Sequence, residues 1–121
     1  MILTIENYDL KEKVTHSDTI YSMSEHYIEL LDIGGYDCTC SIILHQGESV
    51  ENLYGYCDWD PIDKLAEIHI AMGSPAWGIT LAHEMVHVKQ NLKYGITAEG
   101  PAYDLEYELY SSWKDIYEPT R

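Results

Sequence analysis

Two histidines separated by three residues constrain this chain more than any other feature of its sequence. They open and close the segment HEMVH at residues 83–87, which has the pattern HExxH. Residues four apart in an α-helix lie one turn above each other on the same face, so both imidazoles can reach a single ion. The neighbouring residues Leu81, Ala82 and Val88 are apolar, which is not typical of a solvated helix face. The pattern therefore predicts a metal site on a partly buried helix.

Zinc is the ion that fits these donors best, because Zn²⁺ prefers nitrogen and carboxylate ligands in a tetrahedral shell. We predict one zinc ion per chain, bound by His83 and His87. Glu84 lies about 100° around the helix from His83. From there its carboxylate can accept a proton from a water at the metal without being a ligand itself. That is the position of the general base in HExxH metallopeptidases.

A third protein ligand is expected, because catalytic zinc sites usually have three protein ligands and a water. The predicted last helix, residues 100–117, has an apolar face that consists of Ala102, Leu105, Leu109, Trp113 and Ile116. Glu106 falls about 30° from the centre of this face, whereas Asp104 and Glu108 point away from it. A buried carboxylate is costly unless it is paired, protonated or metal-bound. Glu106 is therefore the predicted ligand, and the alternative is a protonated or snorkelling glutamate at the edge of the apolar face.

The periodicity of apolar residues predicts one α+β domain over residues 1–121. Helical spacing predicts three helices, from Ser17 to Gly34, from Ser74 as N-cap to Tyr94, and from Gly100 to about Tyr117. Strand patterns occur at residues 2–5, 37–45, 52–58 and 64–72. Short connections favour antiparallel pairing of these strands. Residues 9–13 are ambiguous between turn and helix.

The motif and the downstream glutamate together resemble the gluzincin metallopeptidases, which combine HExxH with a glutamate on a second helix. Here Glu106 follows His87 by 106 − 87 = 19 residues. The order of elements is similar to the smallest members, the minigluzincins. This resemblance implies a minimal zincin-like fold with an N-terminal helix, a small, mostly antiparallel sheet of three or four strands, the HExxH helix and a C-terminal glutamate helix. It also implies that the strand at residues 64–72 lies along the cleft and pairs with an extended substrate through Glu67, His69 and Ala71.

Three tyrosines are candidates for stabilising the oxyanion of a tetrahedral intermediate. Tyr103 and Tyr110 lie one turn on either side of Glu106, and Tyr94 lies on the same side of the HExxH helix as its histidines. Tyrosines at helical spacing are more often packed than catalytic. These three residues are therefore possible transition-state stabilisers rather than required ones.

The charge of the chain limits its partners. A formal charge of −14, from 21 acidic and 7 basic residues, argues against binding to nucleic acid or to anionic membranes. It fits a protein or peptide substrate with basic character. Two other interpretations stay open, namely a catalytically silent metal-binding interaction domain and an acidic decoy that binds a basic protein.

The cysteines and the start of the chain suggest a compartment. Three cysteines, an odd and small number, favour buried thiols over a disulfide framework. A pair on one strand, Cys38 and Cys40, and Cys57 on a neighbouring strand leave a second metal site or a disulfide as the alternative. Residues 1–6 lack the basic region and the long apolar run of a signal peptide. We therefore expect a cytoplasmic protein.

Overall fold

The computed structural model describes residues 1–8 and 17–117, and these residues form three helices and four strands. The predicted α+β class is confirmed. The strands are β1 (Ile2–Asn7), β2 (Thr39–His45), β3 (Gly55–Asp60) and β4 (Leu65–Ala71). The helices are α1 (Ser17–Leu31), α2 (Trp77–Tyr94) and α3 (Glu99–Tyr117). The ambiguous segment 9–13 lies outside the described residues.

The sheet is mixed, so the expectation of a mostly antiparallel sheet is wrong. Its strand order is β1-β2-β4-β3, with β2 parallel to both β1 and β4 and with β3 antiparallel to β4. Helix α1 crosses over between β1 and β2, and such a crossover produces parallel neighbours. The connection after β2 leads to β3, which lies two strand positions away from β2. The next strand, β4, lies between β2 and β3. Only the β3–β4 pair is a hairpin.

The position of β4 also corrects the predicted substrate strand. Its neighbours β2 and β3 occupy both of its hydrogen-bonding edges. The expectation that Glu67, His69 and Ala71 pair with an extended substrate is therefore wrong. The sheet ends in β1 on one side and in β3 on the other, and the outer edge of β3 is not paired with any described strand.

The core lies between one face of the sheet and the helices. Alternate residues of β4, such as Ala66 and Ile68, are completely buried in it. Helices α1 and α2 pack on this face of the sheet, and α3 packs against α2 and α1. Because α2 contacts both the sheet and α3, it is buried on two sides.

Helix α2 begins later than predicted. Ala76 is its N-cap residue, and no side chain caps this end. Ser74 instead accepts a hydrogen bond from the backbone N–H of Ala76 at 3.2 Å, in a turn before the helix. The predicted end is confirmed, since Gly95 follows with a φ of 68° and donates its N–H to the carbonyl of Asn91.

None of the helices in the described part of the chain combines the length and apolar character needed to span a membrane.

At Gly55, the edge strand β3 lies very close to both β4 and α2. A substitution at this glycine therefore tests how β3 packs against them. A Cβ at this position would lie 2.6 Å from the carbonyl oxygen of His69 in β4 and 2.7 Å from Cγ2 of Thr80 in α2. We expect Gly55→Ala to lower the free energy of unfolding by about 2–3 kcal/mol, because the backbone of β4 cannot move aside. Urea titration measures this change. Gly35→Ala is the control, because nothing lies within 4 Å of its added methyl group, and equal stability of the two variants would contradict this packing.

Candidate metal centre

Three ionisable side chains of the HExxH segment lie together on the buried part of α2. His83, Glu84 and His87 are exposed by only 8%, 6% and 4%. One nitrogen or oxygen atom from each lies within 4.8 Å of the others, which makes the group able to bind a metal ion. The helical four-residue spacing positions the two imidazoles as the sequence predicted.

The group faces a cleft of about 410 Å³ between α2, α3 and the edge of the sheet. One wall consists of residues before and within β3, the edge strand, including Tyr54 and Gly55. The opposite wall consists of residues from the end of the α2–α3 connection and from α3, including Thr97 and Tyr103. The three ionisable groups therefore lie in a cleft that β3, an edge strand, borders on one side.

Two glutamates of α3 contact the histidines. Glu106 lies at the site, as predicted, and its Oε2 is 3.1 Å from Nδ1 of His83. Glu99, the first residue of α3, contacts the Nε2 atom of both histidine rings. Its Oε2 is 3.0 Å from Nε2 of His83, and its Oε1 is 2.7 Å from Nε2 of His87.

A glutamine holds the second histidine. Nδ1 of His87 is 2.9 Å from Oε1 of Gln90, one turn further along α2. The amide of Gln90 also pairs with the backbone of Ala98 at two points, accepting from its N–H at 3.0 Å and donating to its carbonyl oxygen at 2.9 Å. Gln90 thereby links the HExxH helix to the residue that precedes Glu99.

Burial strongly affects the carboxyl group of Glu84. Desolvation, and then the nearby carboxylates of Glu99 and Glu106, raise its pKa to about 8. Without a cation in the site, Glu84 is therefore protonated at neutral pH. A divalent cation beside it would favour the ionised form and lower the pKa again.

Only one of the three candidate tyrosines is at the site. Tyr103 lines the cleft, and its ring centroid lies 4.7 Å from that of His83. Tyr110 instead packs near Gly78 at the start of α2, and Lys114 lies over its ring. Tyr94 is 66% exposed near the end of α2. Of the three candidates, Tyr103 is therefore the one that lies beside the metal-binding group.

His69 lies on the face of the sheet opposite the helices. Its Nδ1 is 2.8 Å from Nε2 of His45, and its ring stacks on Tyr56. The contact between His69 and His45 was not predicted from the sequence. This pair is separated from the metal centre by the sheet.

All three cysteines are free thiols. Burial raises the pKa of Cys40 to about 12 and that of Cys57 well above its ordinary value. Among the residues that the structure describes, the metal-binding group contains no cysteine. The expectation of buried thiols is confirmed for Cys38 and Cys40, and Cys57 lines the cleft near Glu84.

Sequence analysis missed Glu99, because the last helix was predicted to begin at Gly100. A signal was nevertheless present. Glu99 and Glu106 are seven residues apart, which is two helical turns on the same face. A helix that begins one residue earlier would have placed both carboxylates on the side that faces α2.

No protein-family model matches this chain, and neither a curated protein nor a solved structure matches it. The family resemblance that the motif suggests is thus supported only by the His-Glu-His group itself. The chemistry of the protein has to be inferred from the side chains that meet in the cleft.

The raised pKa of Glu84 predicts how the stability of the metal-free protein depends on pH. The folded protein retains the proton up to about pH 8, whereas the unfolded chain releases it near 4.5. Folding is therefore favoured at low pH, and this contribution is lost as the pH rises through that window. In the presence of a chelator, we expect wild type to lose about 2–3 kcal/mol more unfolding free energy than Glu84→Gln between pH 5.5 and 8. Urea titrations at both pH values measure the difference.

The exposed Glu108 provides the matched control for that experiment. Glu108→Gln should keep the pH dependence of wild type. If Glu84→Gln also kept it, the carboxyl group of Glu84 would not have the raised pKa that its surroundings indicate.

Proposed function

We propose that this protein is a zinc-dependent metallopeptidase. The observation that carries the proposal is the convergence of both Nε2 atoms, from His83 and His87, on one carboxylate beside the buried Glu84. Two imidazoles and a carboxylate are the donor set of many catalytic zinc sites. A cleft that opens to solvent and runs along a free strand edge fits an extended peptide.

The donor set fits zinc, and each residue then has a definite role. His83, His87 and a carboxylate of α3 would hold the ion. Zinc, when bound, would polarise the scissile carbonyl group and lower the pKa of a water molecule.

Glu84 is the proposed general base. Its carboxylate accepts the proton of the attacking water and then delivers it to the nitrogen of the leaving amine. Burial keeps this group out of bulk water, so the proton stays at the reacting atoms. Glu84 transfers a proton and does not attack the substrate, so no covalent bond to the protein forms during the reaction.

The proposed substrate is an extended peptide segment that pairs with the free edge of β3. Backbone hydrogen bonds of this type bind a peptide with little dependence on its sequence. Tyr54 and Leu53 lie exposed at the start of this edge. The cleft also contains three carboxylates, from Glu84, Glu99 and Glu106, which favours substrates with basic rather than acidic side chains.

Glu84→Gln tests the proposal, because it keeps the size of the side chain and removes the base. We expect wild-type zinc content and peptide cleavage that is at least about 10²-fold slower, the usual scale of general-base catalysis. Elemental analysis and a fluorogenic peptide library measure both quantities on one preparation. His83→Ala is the control for the metal and should lose zinc and cleavage together.

Other results would contradict the proposal in distinguishable ways. Stoichiometric zinc with no cleavage of any peptide by wild type would support a silent metal-binding domain. A wild-type protein that neither contains nor takes up zinc would favour an acidic decoy that binds basic proteins. Cleavage at the wild-type rate by Glu84→Gln would exclude Glu84 as the base.

A further inference from the structure

The two glutamates of α3 contact chemically different atoms of the histidines. Glu106 contacts His83 at Nδ1, with a distance of 3.1 Å. Glu99 contacts Nε2 of His83 at 3.0 Å and Nε2 of His87 at 2.7 Å. Glu99, which contacts the Nε2 atom of both rings, is a candidate metal ligand. Glu106, which contacts only Nδ1 of His83, is placed to orient that ring.

Gln90 determines which nitrogen of His87 carries hydrogen. Its amide donates to the carbonyl oxygen of Ala98 and accepts from the N–H of Ala98. This two-point pairing fixes which end of the amide is oxygen. That oxygen lies 2.9 Å from Nδ1 of His87, so Nδ1 must be the donor. In the neutral ring, Nε2 of His87 therefore presents a lone pair.

That lone pair points at a carboxylate. His83 faces a carboxylate at each nitrogen, that of Glu106 at Nδ1 and that of Glu99 at Nε2, and a neutral ring can donate to only one of them. When both rings are neutral and Nδ1 of His83 donates to Glu106, two lone pairs face the carboxylate of Glu99, and they repel it unless a metal ion or additional ring protons lie between them. Two imidazole nitrogens and one carboxylate oxygen are three of the four positions around a catalytic zinc.

We infer that Glu99 is the third protein ligand of the metal, that Glu106 positions His83, and that Gln90 positions both His87 and Glu99. The inference rests on the metal-binding part of the proposed function. It revises the prediction from sequence that Glu106 is the ligand. Hydrogen bonds from Nδ1 of a ligand histidine to an acceptor are the usual way in which proteins fix ring orientation at zinc sites.

The burial of the two glutamates agrees with this division of roles. The side chain of Glu99 is 59% exposed at the first residue of α3, on the open side of the cleft. The side chain of Glu106 is 21% exposed and lies deeper, behind the ring of His83. A metal would therefore enter from the side of Glu99, while Glu106 keeps the ring oriented before the metal arrives.

Replacement of each glutamate by glutamine separates a ligand from a hydrogen-bond acceptor. The amide oxygen of glutamine still accepts from Nδ1 of His83, but a neutral amide is a poor zinc ligand. We expect Glu99→Gln to weaken zinc binding by about 10²-fold and Glu106→Gln to change it by less than about threefold. Competition with a chromogenic chelator measures zinc affinity. Glu108→Gln, an exposed acid on the same helix, is the control for lost charge.

Gln90 gives an independent test of the positioning role. We expect Gln90→Ala to weaken zinc binding about 10-fold and to change the visible absorption of the cobalt-substituted protein, because His87 and Glu99 lose their orientation. Gln90→Glu keeps an acceptor for Nδ1 of His87 and for the N–H of Ala98, and its protonated form also keeps a donor to the carbonyl oxygen of Ala98. It should restore most of the wild-type cobalt spectrum, which a purely structural role for Gln90 would not predict.

The outcomes distinguish this inference from the proposed function. If wild type binds zinc, but Glu106→Gln loses affinity and Glu99→Gln does not, the ligand assignment is overturned and the metallopeptidase proposal remains. If wild type takes up no zinc, both are overturned. Circular dichroism of each metal-free variant verifies folding, and the cobalt spectrum of Glu99→Gln must change even if some metal binding persists.

Discussion

The structure depends on a helix that is buried on two sides. Apolar residues of α2, such as Met85 and Val88, pack against the sheet, while the other side carries buried ionisable groups. Buried groups of this kind are costly unless each has a partner. The partners are on α3 and in the segment that leads into it. Polar contacts of the metal centre, together with apolar packing, therefore determine where α3 lies.

The mixed sheet determines which strand lines the cleft. With β4 in the interior of the sheet, the antiparallel strand β3 forms the edge beside α2 and lines the cleft. The close approach of Gly55 to both neighbours holds this edge next to the HExxH segment. Fold and site are thus linked, because the same strand completes the sheet and forms one wall of the cleft.

Local patterns in the sequence predicted what depends on neighbouring residues along the chain. Helical spacing correctly placed His83, Glu84 and His87 together, and the end of α2 at Gly95 followed from backbone geometry. Sheet order could not be predicted in this way, because it depends on which distant strand fills the gap beside β2. The contacts of Glu99 with both histidines were hidden for a related reason: a pattern shows which face of a helix a residue is on, but not which atom of a distant ring it contacts.

The central claim is that one metal ion lies between the Nε2 atoms of His83 and His87 and the carboxylate of Glu99. Anomalous X-ray diffraction at the zinc absorption edge, on crystals of the zinc-loaded protein, tests it most directly. We expect a single peak, about 2.0–2.2 Å from each of these three ligand atoms. A peak coordinated by Nδ1 of His83 and by Glu106, or no peak within the cleft, would contradict it.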